Sequence, residues 1–313
     1  MLELTIESRY VSDHHSQIVS LLMTIHEARK EVIDSIATIY EKSEADAITE
    51  IVMEHITRWS RPERHLNKDI PLSFAQKKLL AQLILRLQQH EPIQYLINEA
   101  WFAGMIFYVD RNVLIPRPET EELVCWISSE WESAIRNRQS ANPTKILDIG
   151  TGSGCLAIAL KNKLPNAEMW ACDVSEQALN VARMNADALN ATIDFIPLDF
   201  LDRGQWRQLP CVDIIVSNPP YIPARDKNEM KRNVLEFEPA TALFVPDNDS
   251  LVFYNAIADF GKEKLNEKGT IYVEIHESLG EAIKNLFQSK GYDSVELRKD
   301  MQGKDRMIRA IRE

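Results

Sequence analysis

Apolar residues recur at helical spacing through residues 1–90 of the chain. Three groups follow the i, i+3, i+4, i+7 pattern of a helix that buries one face. They are Ile18, Leu21, Leu22 and Ile25; Ile48, Ile51, Val52 and Ile56; and Leu79, Leu80, Leu83, Ile84 and Leu87. Glycine, which weakens helix interiors, does not occur in this stretch. The pattern predicts a small all-helical domain over residues 1–90.

A different pattern begins at residue 91. Aromatic and β-branched residues flank Gly104 and predict a short hairpin. They are Trp101, Phe102, Ile106, Phe107, Tyr108 and Val109. Two prolines then stiffen the segment Ile115–Thr120 ahead of a helix that begins near Glu119, and residues 130–144 have the composition of a polar surface connection. We expect residues 91–120 to act as a hairpin linker.

Strand and helix patterns alternate after Thr144. The predicted strands are 145–149, 169–174, 193–197, 212–217 and 270–275. The predicted helices are 155–163, 176–190, 250–265 and 279–289. Two further strands, 292–298 and 306–311, follow each other without a helix between them. Alternating units of this kind predict an α/β domain over residues 91–313, with a mostly parallel sheet that ends in an antiparallel strand.

Charge and cysteine content narrow the classes of partner. The 313 residues carry a formal net charge of −11, which gives no general attraction to nucleic acid or to an anionic membrane. Basic residues are in excess only between Arg58 and Arg86. Such a run is typical of a solvated helix face, and contact with RNA or an acidic protein stays open. The four cysteines form no CxxC pair, so neither a disulfide framework nor a metal site is expected.

The beginning of the chain lacks the basic stretch and apolar core of a secretory signal. No apolar run approaches the ~20 residues that a membrane-spanning helix needs. We therefore expect a cytoplasmic protein that does not bind membranes.

A glycine-rich turn follows the first buried strand of the α/β domain. Gly150, Thr151, Gly152, Ser153 and Gly154 connect this strand to a helix, and glycines there let the backbone approach a ligand closely. The dinucleotide pattern G-x-G-x-x-G requires a glycine where Cys155 stands. The spacing therefore indicates a ligand without a pyrophosphate, although a turn without any ligand is the simpler alternative.

Acidic residues end the next two strands. Asp173 stands where a carboxylate accepts both hydroxyls of a ribose in related folds, and a helix cap is the alternative role. Asp199 and Phe200 end the third strand. A carboxylate beside an aromatic ring suits adenine, with an ordinary strand end as the alternative.

The segment Ser217–Tyr221 carries the most specific signal in the chain. Residues that precede proline are held extended, and prolines offer carbonyl acceptors without N–H donors. The loop thus presents the Asn218 amide oxygen, the Pro219 carbonyl, Pro220 and the ring of Tyr221. Two acceptors and an aromatic face suit a planar –NH₂ group, and a stiff turn is the alternative.

These motifs, in this order, resemble a class I methyltransferase that uses S-adenosylmethionine to methylate an amino group conjugated to a planar system. Three flanking stretches resemble more narrowly the HemK/PrmC family of protein glutamine methyltransferases. They are Glu91–Leu96, Leu114–Glu121, and Phe237–Pro239 with Ala242 and Leu243. The resemblance runs from about residue 91 onward and implies a Rossmann-like methyltransferase sheet behind a helical substrate-recognition domain.

The resemblance also implies a reaction and the roles of single residues. The reaction is methyl transfer to the amide nitrogen of the glutamine in the Gly-Gly-Gln loop of peptide chain release factors. Gly150–Gly154 would line the methionine end of the cofactor, Asp173 its ribose, and Asp199 and Phe200 its adenine. The loop Asn218–Tyr221 would hold the glutamine, with Asn218, Pro219 and Tyr221 as catalytic residues and Asn218 also touching the cofactor. Ile115–Thr120 would close over the cofactor.

Other substrates fit the same loop. A glutamine of a ribosomal protein, adenine in DNA and a guanine amine in ribosomal RNA all present a planar –NH₂ group. A DNA enzyme extrudes its base into a basic cleft, which the acidic composition does not favour, so direct nucleic-acid binding is not expected. A non-catalytic cofactor-binding or adaptor protein is the alternative from another class, although such a protein has no need of an amide clamp.

Overall fold

The computed structural model describes residues 23–137 and 143–312, which form two compact units divided between Ile97 and Asn98. The helices of the first unit are α1 (Ile25–Ile36), α2 (Lys42–Thr57), α3 (Arg61–Leu66), α4 (Phe74–Gln88) and α5 (Ile93–Ile97). Val32, Val52 and Leu83 lie in their common core. Ile18, Leu21 and Leu22 of the first apolar group lie outside the described residues.

The division between the units lies a few residues beyond the one suggested by the sequence pattern. Ile93 and Leu96 of α5 are buried in the core of the first unit, so this short helix belongs with the helices that precede it. The change of residue pattern at residue 91 marks the start of a turn into α5 rather than the end of the helical core.

Part of the basic run in the first unit is neutralised internally. Arg64 is buried and pairs with Glu50, their nearest N and O atoms being 2.7 Å apart. Arg86 donates two hydrogen bonds to the buried Glu91 carboxylate, at 2.7 and 2.8 Å. These two cations are therefore committed to contacts within the fold.

The second unit begins with a hairpin of β1 (Glu99–Phe102) and β2 (Met105–Tyr108), followed by α6 (Pro118–Asn137). The prediction of a polar connection from residue 130 is wrong for residues 130–137, which continue α6. Trp131 extends the buried stripe of Leu123 and Ile127 by one turn. This apolar spacing stabilises the helix despite the polar residues around it; residues 138–142 of the predicted connection lie outside the described residues.

A seven-stranded sheet forms the centre of the second unit, and β7 (Ile222–Pro223) pairs with β8 (Phe244–Val245) outside it. The sheet strands are β3 (Lys145–Ile149), β4 (Glu168–Asp173), β5 (Asp194–Pro197), β6 (Val212–Ser217), β9 (Leu265–Glu274), β10 (Ser294–Lys299) and β11 (Asp305–Ile311). Their order is β10-β11-β9-β6-β3-β4-β5, and β11 runs antiparallel to both of its neighbours. The predicted α/β class, with a mostly parallel sheet and a helical region before it, is confirmed.

Helices cover both faces of this sheet. They include α7 (Cys155–Lys163), α8 (Glu176–Ala188), α11 (Val252–Lys264) and α12 (Gly280–Ser289), whereas two shorter helices, α9 (Arg232–Phe237) and α10 (Ala240–Leu243), lie between β7 and β8 in the chain. Neighbouring residues of β3 point to opposite sides, so Ile146 packs with α6 and α7, and Leu147 with α11 and α12. Among the described residues, no helix combines the length and apolarity that crossing a membrane requires.

The strand order reverses at β3. The chain proceeds from β3 outward to β4 and β5, and then returns to the other side of β3 as β6. In open α/β sheets, ligands bind beyond the carboxyl ends of the strands at such a reversal. The glycine-rich turn after β3 and the proline-rich loop after β6 therefore flank the expected binding crevice.

Candidate active site

A cavity at the carboxyl ends of the strands brings together most of the residues predicted for the site. Its walls include Gly150, Gly152, Asp173, Asp199, Phe200, Asn218, Pro219 and Pro220. Thr151 and Ser153 line a smaller neighbouring cavity, which Asn218 also borders. Gly154 and Tyr221 line neither of these two cavities. The sheet thus collects the ends of β3, β4, β5 and β6 around one space.

Hydrogen bonds hold the strand ends together. The Ser217 hydroxyl at the end of β6 donates to the Ile149 carbonyl of β3 at 2.7 Å. The Gly150 N–H donates to the Cys172 carbonyl of β4 at 2.9 Å, and the Leu198 N–H to the Asp173 carbonyl at 2.9 Å. The relative positions of the segments that line the cavity are therefore set by the rigid sheet rather than by the loops themselves.

Glycine is required by the turn after β3 for two different reasons. Gly150 and Gly152 have positive φ angles of 72° and 55°, and a Cβ atom at either position would point into open space. Gly154 also has a positive φ, but a Cβ there would lie 3.1 Å from Ile158 and 3.2 Å from Ala182. The first two glycines leave room beside the backbone for a ligand, whereas the third allows α7 and α8 to pack closely.

Asp173 binds two backbone N–H groups at the end of β4. Its carboxylate accepts from Gly152 at 2.9 Å and from Ser175 at 2.9 Å. Burial raises its pKa, and these backbone donors oppose the rise. The cap of α8 is Ser175, whose hydroxyl oxygen accepts from the Ala178 N–H at 3.1 Å, so Asp173 faces the cavity instead of capping the helix.

Asp199 and Phe200 occupy different surroundings beyond β5. Asp199 is exposed and accepts from the Leu201 N–H at 3.0 Å. Phe200 is buried, and its ring packs against Trp206 and Phe260 at centroid distances of 5.6 and 5.3 Å. The phenyl ring is therefore part of the core and contributes to the cavity as a wall rather than as a free stacking surface.

The loop after β6 places its polar and aromatic groups on different sides. Asn218 donates from Nδ2 to the Thr120 hydroxyl at 3.2 Å and borders both cavities. Tyr221 packs against the core, with its ring 5.7 Å from that of His276. Burial raises the pKa of Tyr221 to about 12, so its hydroxyl stays protonated at neutral pH.

Two buried carboxylates at the site escape sequence reasoning. Asp148 at the end of β3 accepts from the Thr151 hydroxyl at 2.6 Å, and Glu274 at the end of β9 accepts from the Thr120 hydroxyl at 2.6 Å. Burial raises the pKa of each to about 7. Asp148 stands two residues before Gly150, the first glycine of the turn, which is a usable signal, whereas nothing in the local sequence marks Glu274.

The other side of the cavity comes from segments far apart in the chain. Leu114 lies on one wall, and Pro239, Thr241 and Phe253 lie on others. Arg117 donates to the buried Glu238 carboxylate at 2.6 Å, and the Ile115 N–H donates to the same carboxylate at 3.2 Å. This pairing fixes the segment Ile115–Thr120 against the residues that follow α9.

Comparison with known proteins shows which family models and folds the chain matches. The family model described as PrmC N-terminal domain matches residues 27–97, and the model described as methyltransferase small domain matches residues 134–242. In fold, the chain is similar to the catalytic domain of hMettl16 in complex with an RNA hairpin. That likeness has a TM-score of 0.50 and 15% identity, and covers 76% of this chain and 81% of the other.

Two curated relatives match nearly the whole chain. The release factor glutamine methyltransferase of Flavobacterium psychrophilum is 41% identical over 289 residues, which are 92% of this chain and 99% of the relative. The protein of the same description from Bacteroides thetaiotaomicron is 42% identical, covering 89% of this chain and 96% of the relative. The match spans both the helical unit and the α/β unit, and the chain belongs to the family of release factor glutamine methyltransferases.

Proposed function

We propose that this protein transfers a methyl group from S-adenosylmethionine to the side-chain amide nitrogen of the glutamine in the Gly-Gly-Gln loop of peptide chain release factors. One observation supports this most directly: Asn218, Pro219 and Pro220 of the loop after β6 line the same cavity as Gly150, Gly152 and Asp173, the residues proposed to bind the cofactor. A methyl donor bound next to the glycines and Asp173 and an amide bound at the loop after β6 would meet beside Asn218.

S-adenosylmethionine is the cofactor, and the cavity has the features that it needs. Gly150 and Gly152 leave open space where any other residue would place a Cβ atom. Asp173 has oxygen lone pairs for ribose hydroxyls beyond those used by its backbone donors. Asp199 and Phe200 line the same cavity, and we propose that the adenine binds beside them.

The chain's own residues would activate the amide by orientation. When bound, the cofactor supplies an electrophilic methyl group on a sulfonium sulfur. The glutamine amide nitrogen is a poor nucleophile, because its lone pair is delocalised into the carbonyl. The Asn218 amide oxygen and the Pro219 carbonyl would accept its two N–H bonds and direct the lone pair at the methyl carbon. Orientation of this kind supplies up to ~7–11 kcal/mol of a barrier.

The same two acceptors would stabilise the charge that develops. Transfer of the methyl group would leave the electron pair of the S–C bond on sulfur and would place positive charge on the amide nitrogen, next to the Asn218 oxygen and the Pro219 carbonyl. Aligned acceptors for that charge contribute on the order of 3 kcal/mol each, by analogy with single oxyanion donors. The nitrogen would then release one proton to the surrounding water, which returns it to a neutral amide and completes the transfer.

The proposed substrate also indicates in which compartment the protein acts and what kind of partner it binds. Release factors act in translation, so we place the reaction in the cytoplasm. The −11 net charge suits a neutral glutamine on a protein better than a phosphate-bearing base. We therefore propose a protein substrate and no direct nucleic-acid binding.

A labelled-methyl transfer assay tests this function. The purified protein is incubated with labelled S-adenosylmethionine and, in parallel, with a release factor, the same factor with its loop glutamine replaced by alanine, ribosomal protein, and DNA. We expect label on the intact release factor and none on its alanine variant. Label on ribosomal protein or DNA but not on the release factor would contradict the proposal.

A further inference from the structure

Asn218, Thr120 and Glu274 form a continuous hydrogen-bonded chain. Asn218 Nδ2 lies 3.2 Å from Thr120 Oγ1, and Thr120 Oγ1 lies 2.6 Å from Glu274 Oε2. Thr120 and Glu274 are each about 2% exposed. The three side chains come from the loop after β6, the first turn of α6 and the end of β9.

The sheet register brings two of these residues together. Ser217 of β6 pairs with Val273 of β9 in parallel register, so Asn218 and Glu274 are the next residues along two adjacent strands. Thr120 contacts both Asn218 and Glu274. Its own position is fixed at the start of α6, where the Thr120 N–H donates to the Arg117 carbonyl at 3.1 Å. The contact therefore depends on fixed elements rather than on a mobile side chain.

The chemistry of the chain determines which way the Asn218 amide points. An ionised carboxylate accepts hydrogen bonds and donates none, so the hydrogen of the Thr120 hydroxyl points to Glu274. Only lone pairs of Thr120 Oγ1 are then left for Asn218. The atom of Asn218 that faces Thr120 must be the donating nitrogen, which directs the amide oxygen the other way.

We propose that Thr120 and Glu274 are positioning residues that fix the Asn218 amide so that its oxygen, and not its nitrogen, meets the N–H of the substrate glutamine. This inference rests on the proposed function, in which Asn218 accepts one of the two glutamine N–H bonds. With the amide reversed, Asn218 would present N–H donors to an N–H donor, and the substrate would lose an acceptor.

The burial of Glu274 supports a role of this kind. A buried carboxylate destabilises a fold unless its surroundings compensate for lost hydration, and ionisable groups in such settings concentrate at functional sites. Burial raises the pKa of Glu274 to about 7, opposed by the Thr120 hydrogen bond and by positive charge nearby. The groups that act on Glu274 electrostatically include Arg306, Arg117, Glu119, Tyr221, Tyr254 and Cys155.

Protonation of Glu274 would reverse the direction of donation in the hydrogen bonds that link Glu274, Thr120 and Asn218. A neutral carboxyl group donates its own hydrogen to Thr120 Oγ1, which frees the Thr120 hydrogen to point at Asn218. Asn218 would then offer its oxygen to Thr120 and its nitrogen to the substrate. The rate of methyl transfer should therefore fall as the pH drops through the pKa of Glu274, and this part of the fall should disappear without the carboxylate.

Four variants test the assignment in the full-length protein with a release factor substrate. Thr120→Val removes the hydroxyl at nearly constant shape, and Thr120→Ser restores it. Glu274→Gln removes the titration. Thr49→Val is the matched control, because Thr49 is also buried and its hydroxyl donates to the Ala45 carbonyl at 2.7 Å in the first unit. Calorimetric cofactor binding and thermal unfolding are measured for each variant.

We expect Thr120→Val to lower kcat about 10- to 100-fold and to change cofactor affinity far less, since Thr120 lines the smaller cavity and not the larger one that Asp173 lines. Thr120→Ser and Thr49→Val should stay close to wild type. Glu274→Gln should shrink the acid-side fall of kcat. If Thr120→Val fails to fold, the pH profile of Glu274→Gln decides.

Two other results would overturn the assignment, and they are distinguishable. If the wild-type protein methylates the release factor but Thr120→Val behaves like Thr49→Val, or Glu274→Gln keeps the wild-type pH profile, the positioning role is wrong and the proposed function stands. If the wild-type protein transfers no label to the release factor, the proposed function fails, and this role fails with it.

Discussion

Gly152 donates its backbone N–H to Oδ2 of Asp173 at 2.9 Å. The side chain that ends β4 thus holds the turn that follows β3, so that the two segments proposed to bind the cofactor are bound to each other. Because Asp173 also accepts from Ser175 at 2.9 Å, its carboxylate is fixed in place before any ligand arrives.

Removal of the Asp173 carboxylate should weaken cofactor binding. Asp173→Ala loses the proposed ribose acceptor and the anchor of Gly152, and a hydrogen bond to a charged group is worth about 1.5–3 kcal/mol. We expect the Kd for S-adenosylmethionine, measured by calorimetry, to rise about 10- to 100-fold. Glu168→Ala is the control, because Glu168 is an exposed carboxylate at the opposite end of the same strand. Unchanged affinity in Asp173→Ala would remove its ribose role.

Substitution of Asn218 should lower turnover rather than cofactor affinity. Asn218→Ala removes one acceptor of the glutamine amide and leaves the Asp173 side of the cavity intact. We expect kcat to fall by about 10²-fold or more, by analogy with the loss of one oxyanion donor, and cofactor affinity to change only severalfold. Single-turnover methyl transfer with calorimetry separates the two quantities. Near-normal transfer by this variant would contradict the amide-clamp role.

The packing role of Gly154 can be separated from its backbone conformation. Gly154→Ala adds a Cβ atom 3.1 Å from Ile158 Cδ1 at a φ of +81°, whereas Gly303→Ala at a φ of +83° has no heavy atom within 4 Å. Both variants carry the strain of a left-handed residue, roughly 1–2 kcal/mol. We expect urea unfolding to show a larger stability loss for Gly154→Ala. Equal losses would show that α7 and α8 move apart to accept the added Cβ atom without any further loss of stability.

Asp148 should make the stability of the protein depend on pH. Burial raises its folded-state pKa to about 7, whereas an unfolded Asp titrates near 3.9. Between these values the folded state binds more protons than the unfolded state, so the free energy of unfolding falls as pH rises, with a limit of about 1.4 kcal/mol per pH unit for this group.

Asp148→Asn should flatten that dependence. Denaturant unfolding of the wild-type protein and the variant at pH 5, 6, 7 and 8 should give curves that diverge, with the variant losing less stability as pH rises. Parallel curves would show that Asp148 is ionised throughout this range. Glu274 also has its pKa raised to about 7, so the comparison must be made as a difference between the two proteins.

The elements that sequence patterns predict well are those with an uninterrupted local signal. β3 and β6 have the predicted bounds, because each is a buried run that ends at a glycine-rich or proline-rich loop. β9 begins at Leu265 rather than at residue 270. Residues 266–268 are polar, Lys268 has a positive φ, and the register with β6 shifts between Val212 and Ile214. An irregular strand of this kind has no period-2 pattern to read.

The residues of the site also differ in how well the sequence predicts them. Asp173 and Asn218 stand in motifs whose residue order points to a ligand, and the structure places both on the same cavity. Glu274 has no such motif around it. It joins the site only because β9 lies beside β6 and α6 brings Thr120 between them. Contacts of that origin follow from strand order and helix docking, which local sequence does not encode.

Thr120 and Glu274 are 154 residues apart in the chain, and this separation has a consequence for refolding. The residues that line the larger cavity run from Asn112 to Phe253, all before β9. The contact that orients Asn218 requires β9 to be seated between β6 and β11. A refolding protein in which β9 is not yet seated therefore lacks the contact between Thr120 and Glu274, even though every residue that lines the larger cavity precedes β9 in the chain.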